Sequence, residues 1–502
     1  MNENFMRMLS DRMGLFVHYG IYSGIGGRYH GKTIDGFGEW IQRRAEIPIA
    51  EYIQLGKELF CPAESFARDL VRSAKAAGAK YVVMTSKHHD GFSLFKSDAS
   101  DYSTYGFYGR DLCRELADAC REEGLELGFY YSHTLDWYEK NAAGNNALGT
   151  NVKRYNRNFW DYPDDNIDFE QYFREKCLPQ VRELLTNYGK LKLIWFDYPH
   201  DITREQCMEL WNLVKELQPD CLINSRLGYG ICDYNSLPDN GLPATSCKMP
   251  TECLVTLNNT WAYKIDDLCY KSSSDVIGIL SRAVATGSTL LLNVGPMGDG
   301  SLTPETHVIL SDLGAWIERN SEAVYGVKPN PFKAIFPWGY ASEGERAIYL
   351  YVKEWRDTLS VSGISTTPTS VDLLGDDTPI AWEYKDGAVT LKTVHGASTV
   401  QVYRISFSEK PRIDNRLLID STRGSLPAAK KKSSIWKTAK SSYHFSKKAA
   451  RVVFPLALPP SMATISLPLS FPCSKNVSIR FLKGKNNSNS FSIQIKYLFI
   501  FK

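Results

Sequence analysis

Ala79-Lys80-Tyr81-Val82-Val83-Met84-Thr85-Ser86-Lys87-His88-His89-Asp90-Gly91-Phe92 decides how this chain is read: an apolar run closes abruptly on two histidines, a carboxylate and a glycine. A parallel strand covered on both faces has such a run, and its polar tip marks the carboxyl end where it meets a ligand. The pattern recurs. Gly14-Leu15-Phe16-Val17 ends in His18-Tyr19-Gly20, Leu125 to Phe129 in Tyr130-Tyr131-Ser132, and Leu193-Ile194-Trp195-Phe196 in Asp197.

Between these runs the spacing is helical, over Phe66 to Gly78, Arg110 to Glu123, about Phe169 to Tyr188, and Arg204 to Leu217. Further strands are expected over Cys221 to Arg226, Glu252 to Val255 and Thr289 to Val294, with helices over Ser274 to Thr286 and Pro304 to Arg319. Strands alternating with helices imply a parallel sheet, and roughly seven such units over about 320 residues suit an α/β barrel of the (β/α)8 TIM type. An open doubly wound sheet is the runner-up. It would use mainly its switch point, whereas polar residues stand at nearly every strand end here, and no GxGxxG or Walker loop follows the first strand. After Tyr325-Gly326 the texture becomes antiparallel: Ala347 to Val352, a hairpin around Asp386-Gly387, and Thr399 to Ile405 read as a small β-sandwich. The expected division is a catalytic barrel over 1–328, the sandwich over 329–429, and a tail over 430–502.

Composition narrows the function. The net charge of +3 hides an asymmetry: of 59 Lys and Arg, 15 lie between Ser421 and Lys502, a stretch with no Asp or Glu, so residues 1–420 carry 44 basic against 56 acidic groups, a net of −12. The body therefore has no nucleic-acid footprint. The eleven cysteines form no CxxC pair, which fits reduced thiols of a cytoplasmic protein. No signal-peptide core and no uninterrupted apolar stretch of membrane-spanning length is present, so neither a leader nor a membrane partner is expected. The acid-free tail begins close to Lys430-Lys431-Lys432 and is expected to be the product of a reading-frame slip, which would leave the sandwich short of its last strands. A genuine basic arm for anionic surfaces is the alternative.

Asp197 at a strand tip, flanked by aromatics, is the foremost candidate for chemistry, and Glu252 opens a later strand. Two carboxylates from different strands of one barrel suit glycoside hydrolysis, one attacking carbon and the other handling the proton. Trp40, Tyr131, Trp195 and Trp261 suit the apolar faces of a pyranose, and the histidines with Arg226 its hydroxyls. A metal at His88-His89-Asp90 is disfavoured, because neighbours on a strand point to opposite faces and no third-ligand spacing accompanies them.

Taken together, Gly14-Leu15-Phe16-Val17-His18-Tyr19-Gly20, Glu39-Trp40, Lys87-His88-His89-Asp90-Gly91-Phe92, Tyr130-Tyr131-Ser132, Trp195-Phe196-Asp197 and Leu291-Leu292-Asn293-Val294-Gly295-Pro296 resemble the α-L-fucosidases of glycoside hydrolase family 29. The resemblance covers about Met13 to Gly326. It implies a retaining exo-hydrolase that removes terminal α-linked L-fucose from an oligosaccharide or glycoconjugate, without cofactor or metal. Asp197 then matches the nucleophile, Glu252 one subgroup's acid/base, and His18, Glu39, Trp40, His88, His89, Tyr131, Trp195, Arg226 and Trp261 the residues gripping the sugar. Tyr19 and Thr251 stand where tryptophan is usual, and Tyr198 and Ala262 where glycine is common. A retaining barrel hydrolase for another sugar, of α-galactosidase kind, and an inactive sugar-binding protein are the competing readings.

Overall fold

The computed structural model describes residues 6, 10–142, 157–163, 167–394 and 399–417, and the backbone of Val477–Lys483 and Phe491–Tyr497. The chain forms two compact units, Met1–Ser425 and Leu426–Lys502.

In the first unit eight parallel strands run in chain order: β1 (Met13–Val17), β2 (Tyr81–Lys87), β3 (Glu126–Ser132), β4 (Leu193–Asp197), β5 (Leu222–Ile223), β6 (Asn235–Ser236), β7 (Thr251–Thr256) and β8 (Thr289–Val294). Their lateral order is β5-β4-β3-β2-β1-β8-β7-β6. A parallel bridge between Asn224 and Tyr234 joins the two end strands, and the Asp233 amide donates to the Ile223 carbonyl at 2.8 Å. The expected barrel is therefore present. Its helices include α1 (Phe66–Ala76), α2 (Leu112–Glu123), α3 (Leu178–Asn187), α4 (Arg204–Leu217), α5 (Ser273–Thr286) and α6 (Pro304–Val324).

Local chemistry starts and stops these elements. Asp111 caps α2 by accepting from the Arg114 amide at 2.8 Å, and Gly124, at φ +73°, ends it in the left-handed conformation that glycine adopts without strain. Thr203 and Gln206 form a reciprocal capping box on α4. The helix expected as one piece over 169–188 carries a π turn at Phe173–Cys177 just before Pro179, whose missing N–H interrupts the regular ladder.

Two strands differ from expectation. The run Cys221 to Arg226 keeps only Leu222–Ile223 as strand, and the chain then tightens into a 3-10 turn over Ser225–Leu227 that carries Arg226. β6 is two polar residues long and has no apolar run to announce it.

Period-two alternation sends Phe16, Tyr81, Val83, Tyr130, Leu193 and Trp195 into the barrel, with Leu222, Leu254 and Leu291 beside them. Leu15, Val17, Phe129, Tyr131, Ile194 and Leu292 face the helices. Gly14 is inward, and the Tyr81 ring fills the space where its side chain would be.

The following antiparallel strands are β9 (Gly339–Glu343), β10 (Ala347–Val352), β11 (Thr358–Ser362), β12 (Ser370–Leu373), β13 (Trp382–Lys385), β14 (Ala388–Lys392) and β15 (Gln401–Ser406). They form two sheets, β9-β10-β15-β12 and β11-β14-β13, with Ile348, Leu350, Val361, Val389, Leu391 and Ile405 in their shared core. The Asp386-Gly387 hairpin is present, with φ +50° and +76° at the two turn residues. In the second unit β16 (Val477–Lys483) pairs antiparallel with β17 (Phe491–Tyr497). The rest of the acid-free tail, including the lysine run, lies outside the described residues.

Gly14→Ala is expected to destabilise the protein by about 1–3 kcal/mol, since the new Cβ would lie 2.3 Å from a Tyr81 ring atom in a filled barrel. Urea unfolding checks this; an unchanged midpoint would show that the ring can yield.

Candidate active site

A cavity of about 330 Å³ opens at the carboxyl ends of the strands. Its floor is Phe16 and Leu254; its walls include His18, His88, His89, Tyr130 and Trp195. Glu39, Trp40 and Trp261 also line it, and Phe37, Arg44, Tyr198 and Asp239 stand nearer the mouth, with Phe37 38% exposed.

Asp197 is the last residue of β4 and continues the inward row Leu193, Trp195, Asp197. Its Oδ1 accepts from Arg226 Nη1 at 3.0 Å and its Oδ2 from the Tyr130 hydroxyl at 3.0 Å. Burial alone would raise this carboxyl, but the Arg226 charge prevails and holds it below the ordinary value. His89 Nε2 lies 3.8 Å from Oδ2. Burial pushes His89 down to about 3, so it is neutral at ordinary pH and contributes no charge.

Arg226 joins the site together. Its second terminal nitrogen donates to Asp239 Oδ1 and to the Leu237 carbonyl, and its guanidinium lies over the Trp195 ring with the carbon 4.8 Å from the centroid. The two carboxylates are thus held a guanidinium's width apart. Asp239 follows β6, with a side chain 42% exposed against 15% for Asp197.

The other histidines are also neutral. Burial lowers His18 to about 4 and His88 well below its ordinary value. His18 Nδ1 is 2.7 Å from Asn293 Oδ1, while Asn293 Nδ2 donates to the Trp261 carbonyl at 2.6 Å, which leaves Nε2 for a ligand. His89 Nδ1 is likewise occupied, 2.7 Å from Ser132 Oγ. The rings of His88 and His89 are 4.2 Å apart and both line the cavity. The opposite-faces argument does not hold for them, because β2 ends at Lys87 and the chain turns there. Among the described residues no group of three or more His, Cys, Asp or Glu is placed to hold a metal ion.

Glu39 sits on the 3-10 turn Gly38–Trp40, fully enclosed. Its Oε2 accepts from the Ala262 amide at 3.1 Å and faces Thr260 Oγ1 at 3.4 Å, yet burial raises the carboxyl to about 7. Trp40 meets His89 edge-on at 5.2 Å, and Trp261 packs on His18 at 5.2 Å.

Two expected residues lie elsewhere. Tyr131 points away from the cavity and donates to Gln180 Oε1 at 2.9 Å; its neighbour Tyr130 is the inward one. Alternation along β3 allows only one of the pair inside. Glu252 is the first inward position of β7, one layer beneath Leu254, whereas Asp197 is the last of β4. It is fully buried, bonds Trp195 Nε1 at 2.8 Å and Ser236 Oγ at 3.2 Å, and does not line the cavity. Sequence reasoning missed Tyr130, Asn293 and Asp239 as site residues. Tyr130 was within reach, since the β3 alternation signals it; Asp239 sits in a loop without any apolar pattern.

The sequence profile described as Alpha-L-fucosidase matches residues 4–322. Tissue alpha-L-fucosidase of Bos taurus is 28% identical over 415 residues, covering 74% of this chain and 80% of its own. The crystal structure of alpha-L-fucosidase from Vibrio sp. strain EJY3 superposes with a TM-score of 0.76 at 29% identity, over 82% of this chain and 74% of that one. Alpha-L-fucosidase AlfC from Lactobacillus casei gives 0.60 at 35% identity, over 64% of this chain and 99% of its own.

Arg226→Gln is expected to raise the Asp197 carboxyl, because the largest influence opposing burial is then gone. The ionised form would be lost at a higher pH than in the parent. Carboxyl-carbon NMR titration reads the shift directly, and an unmoved Asp197 would deny Arg226 this role.

Proposed function

The chain belongs to the alpha-L-fucosidase family, and from that membership we propose that it cleaves terminal α-L-fucosides with retention, through a covalent fucosyl-enzyme intermediate on Asp197. The observation that carries this reading is Asp197 itself: an enclosed carboxylate kept ionised by Arg226 in an aromatic-walled cavity at the carboxyl ends of the strands. Structures of the Lactobacillus casei enzyme in complex with Fuca(1,6)GlcNAc and with 4-nitrophenyl-a-L-fucopyranoside support a fucoside substrate.

In the proposed reaction Asp197 attacks the anomeric carbon while a protonated carboxyl donates to the departing oxygen; the same group then deprotonates the water that releases fucose. Glu252 is the sequence-based candidate, but it is sealed below the floor. Asp239 takes the role in this reading. It shares Arg226 with Asp197 and stands at the mouth, where the aglycone leaves and water enters. Glu39, with its raised carboxyl and backbone partner, suits a hydrogen bond to a sugar hydroxyl. The neutral imidazoles of His18, His88 and His89 suit the same task, because an uncharged ring can accept as well as donate. Trp40 and Trp261 supply apolar walls, and Trp195 the wall beneath Arg226. The proposed domains are those expected from the sequence: barrel 1–328, sandwich 329–429 and tail 430–502. All ten described cysteines are free thiols, which supports a cytoplasmic setting, and among the described residues no helix is long and apolar enough to cross a membrane.

Two measurements test this. NMR of the first product released from an aryl α-L-fucoside should show the α-anomer first; the β-anomer first would sink retention. Asp239→Asn should slow poor leaving groups at least about a hundredfold while sparing activated aryl fucosides, in the range of lost general-acid assistance. If that selectivity follows Glu39→Gln instead, the proton donor is Glu39.

A further inference from the structure

Below the cavity floor the barrel holds a second polar cluster. Glu252 Oε1 and the hydroxyls of Tyr81 and Tyr234 are buried, and none has a hydrogen-bond partner among the described residues. Their neighbours inside the barrel are apolar, Val83, Leu193, Leu222 and Leu291 among them. A carboxyl in such surroundings is costly, and a leucine would fill the space without that cost. What distinguishes Glu252 is its bond to Trp195 Nε1 at 2.8 Å.

Trp195 is the platform for both groups that grip Asp197. Arg226 lies over its ring at 4.8 Å, and Tyr130 stacks on it with centroids 5.6 Å apart and planes 18° apart. Arg226 and Tyr130 then each bond an Asp197 oxygen at 3.0 Å. A tilt of the indole would move both partners at once.

We propose that Glu252 is a positioning residue for Asp197: it holds the Trp195 indole from below, and so fixes the aim of Arg226 and Tyr130 at the nucleophile. The inference rests on the assignment of Asp197 above. The charged and titratable groups that interact with Glu252 are Arg226 from the turn after β5, Tyr81 from β2, Tyr234 just before β6 and the neighbouring Cys253 thiol on β7. Burial raises Glu252 to about 7, and Trp195, Ser236 and Arg226 oppose that rise. Above that pH the carboxylate accepts from Trp195 and Ser236 with full charge and draws on Arg226. Below it the group is neutral, and its hold on the indole and on Arg226 loses the carboxylate charge. The grip on Asp197 is therefore expected to change near pH 7 through a residue that never touches the sugar.

The test is a double-mutant cycle in the full-length chain, with kcat and KM on good and poor aryl leaving groups from pH 4 to 9. Glu252→Ala should lower kcat about 10- to 100-fold equally on both, the usual consequence of leaving a buried donor unpaired. Trp195→Phe should give a similar loss, and adding Glu252→Ala to it should cost nothing more. Glu252→Gln, an isosteric variant that keeps an acceptor for the indole, should retain most activity but change the shape of the profile near pH 7 from the parent's, leaving the contribution of Glu39 there. Additive losses, a Glu252→Gln profile that overlays the parent, or losses confined to poor leaving groups would overturn the proposal. If Glu252→Ala does not fold, the Glu252→Gln profile decides alone. Asp197→Ala is measured alongside: turnover in that variant removes the premise, whereas an inactive Asp197→Ala with an additive cycle removes only the role of Glu252.

Discussion

The site depends on one ion pair. Asp197 is surrounded by protein, and a carboxylate so placed would ordinarily take up a proton. Arg226 prevents this with one terminal nitrogen, reaches Asp239 with the other, and rests its flat face on Trp195. Lysine would supply the charge but neither the fork nor the plane. The arrangement also explains the local fold: the strand that should run from Cys221 to Arg226 stops after Ile223, and the tight turn that follows lifts Arg226 to the carboxyl end of the barrel.

Around this pair the histidines are uncharged. Burial moves His18, His88 and His89 far below ordinary pH, so the three imidazoles add no ring of cations around Asp197 and Arg226. Neutral rings with one nitrogen fixed by Asn293 or Ser132 have defined tautomers and defined directions for a ligand. A hydroxyl-rich ligand would meet oriented dipoles that need no rearrangement, while Asp197 keeps its charge. Exposure rises from the enclosed Glu39 to Asp239 at the mouth.

Much of this was legible in the residues. Strand tips read as apolar runs ending in His18, His88, His89 and Asp197 all came to one cavity, because strands of a parallel barrel share a direction and their carboxyl ends share a face. The hairpin at Asp386-Gly387 was equally plain, since few residues other than Asp-Gly accept two successive positive φ angles. Tyr131 was an error of phase: in a doubly aromatic strand both tyrosines look eligible, and only the pairing register says which faces in. For Glu252 the surprise is its height. Its strand was recognised, but a sequence does not reveal how far each strand is staggered against its neighbours, and that stagger sets Glu252 a layer below Leu254 and the cavity.

By itself, then, the sequence determined the alternation of strand and helix, the buried character of the strands, and the kind of side chain at each tip, because these follow from local periodicity and solvation. Only the tertiary structure decided that Arg226 links Asp197 to Asp239, that Tyr130 rather than Tyr131 faces Asp197, and that β6 closes the barrel with two polar residues. Each of those depends on register, tilt and turn geometry between segments far apart in the chain, and no residue's own identity encodes them.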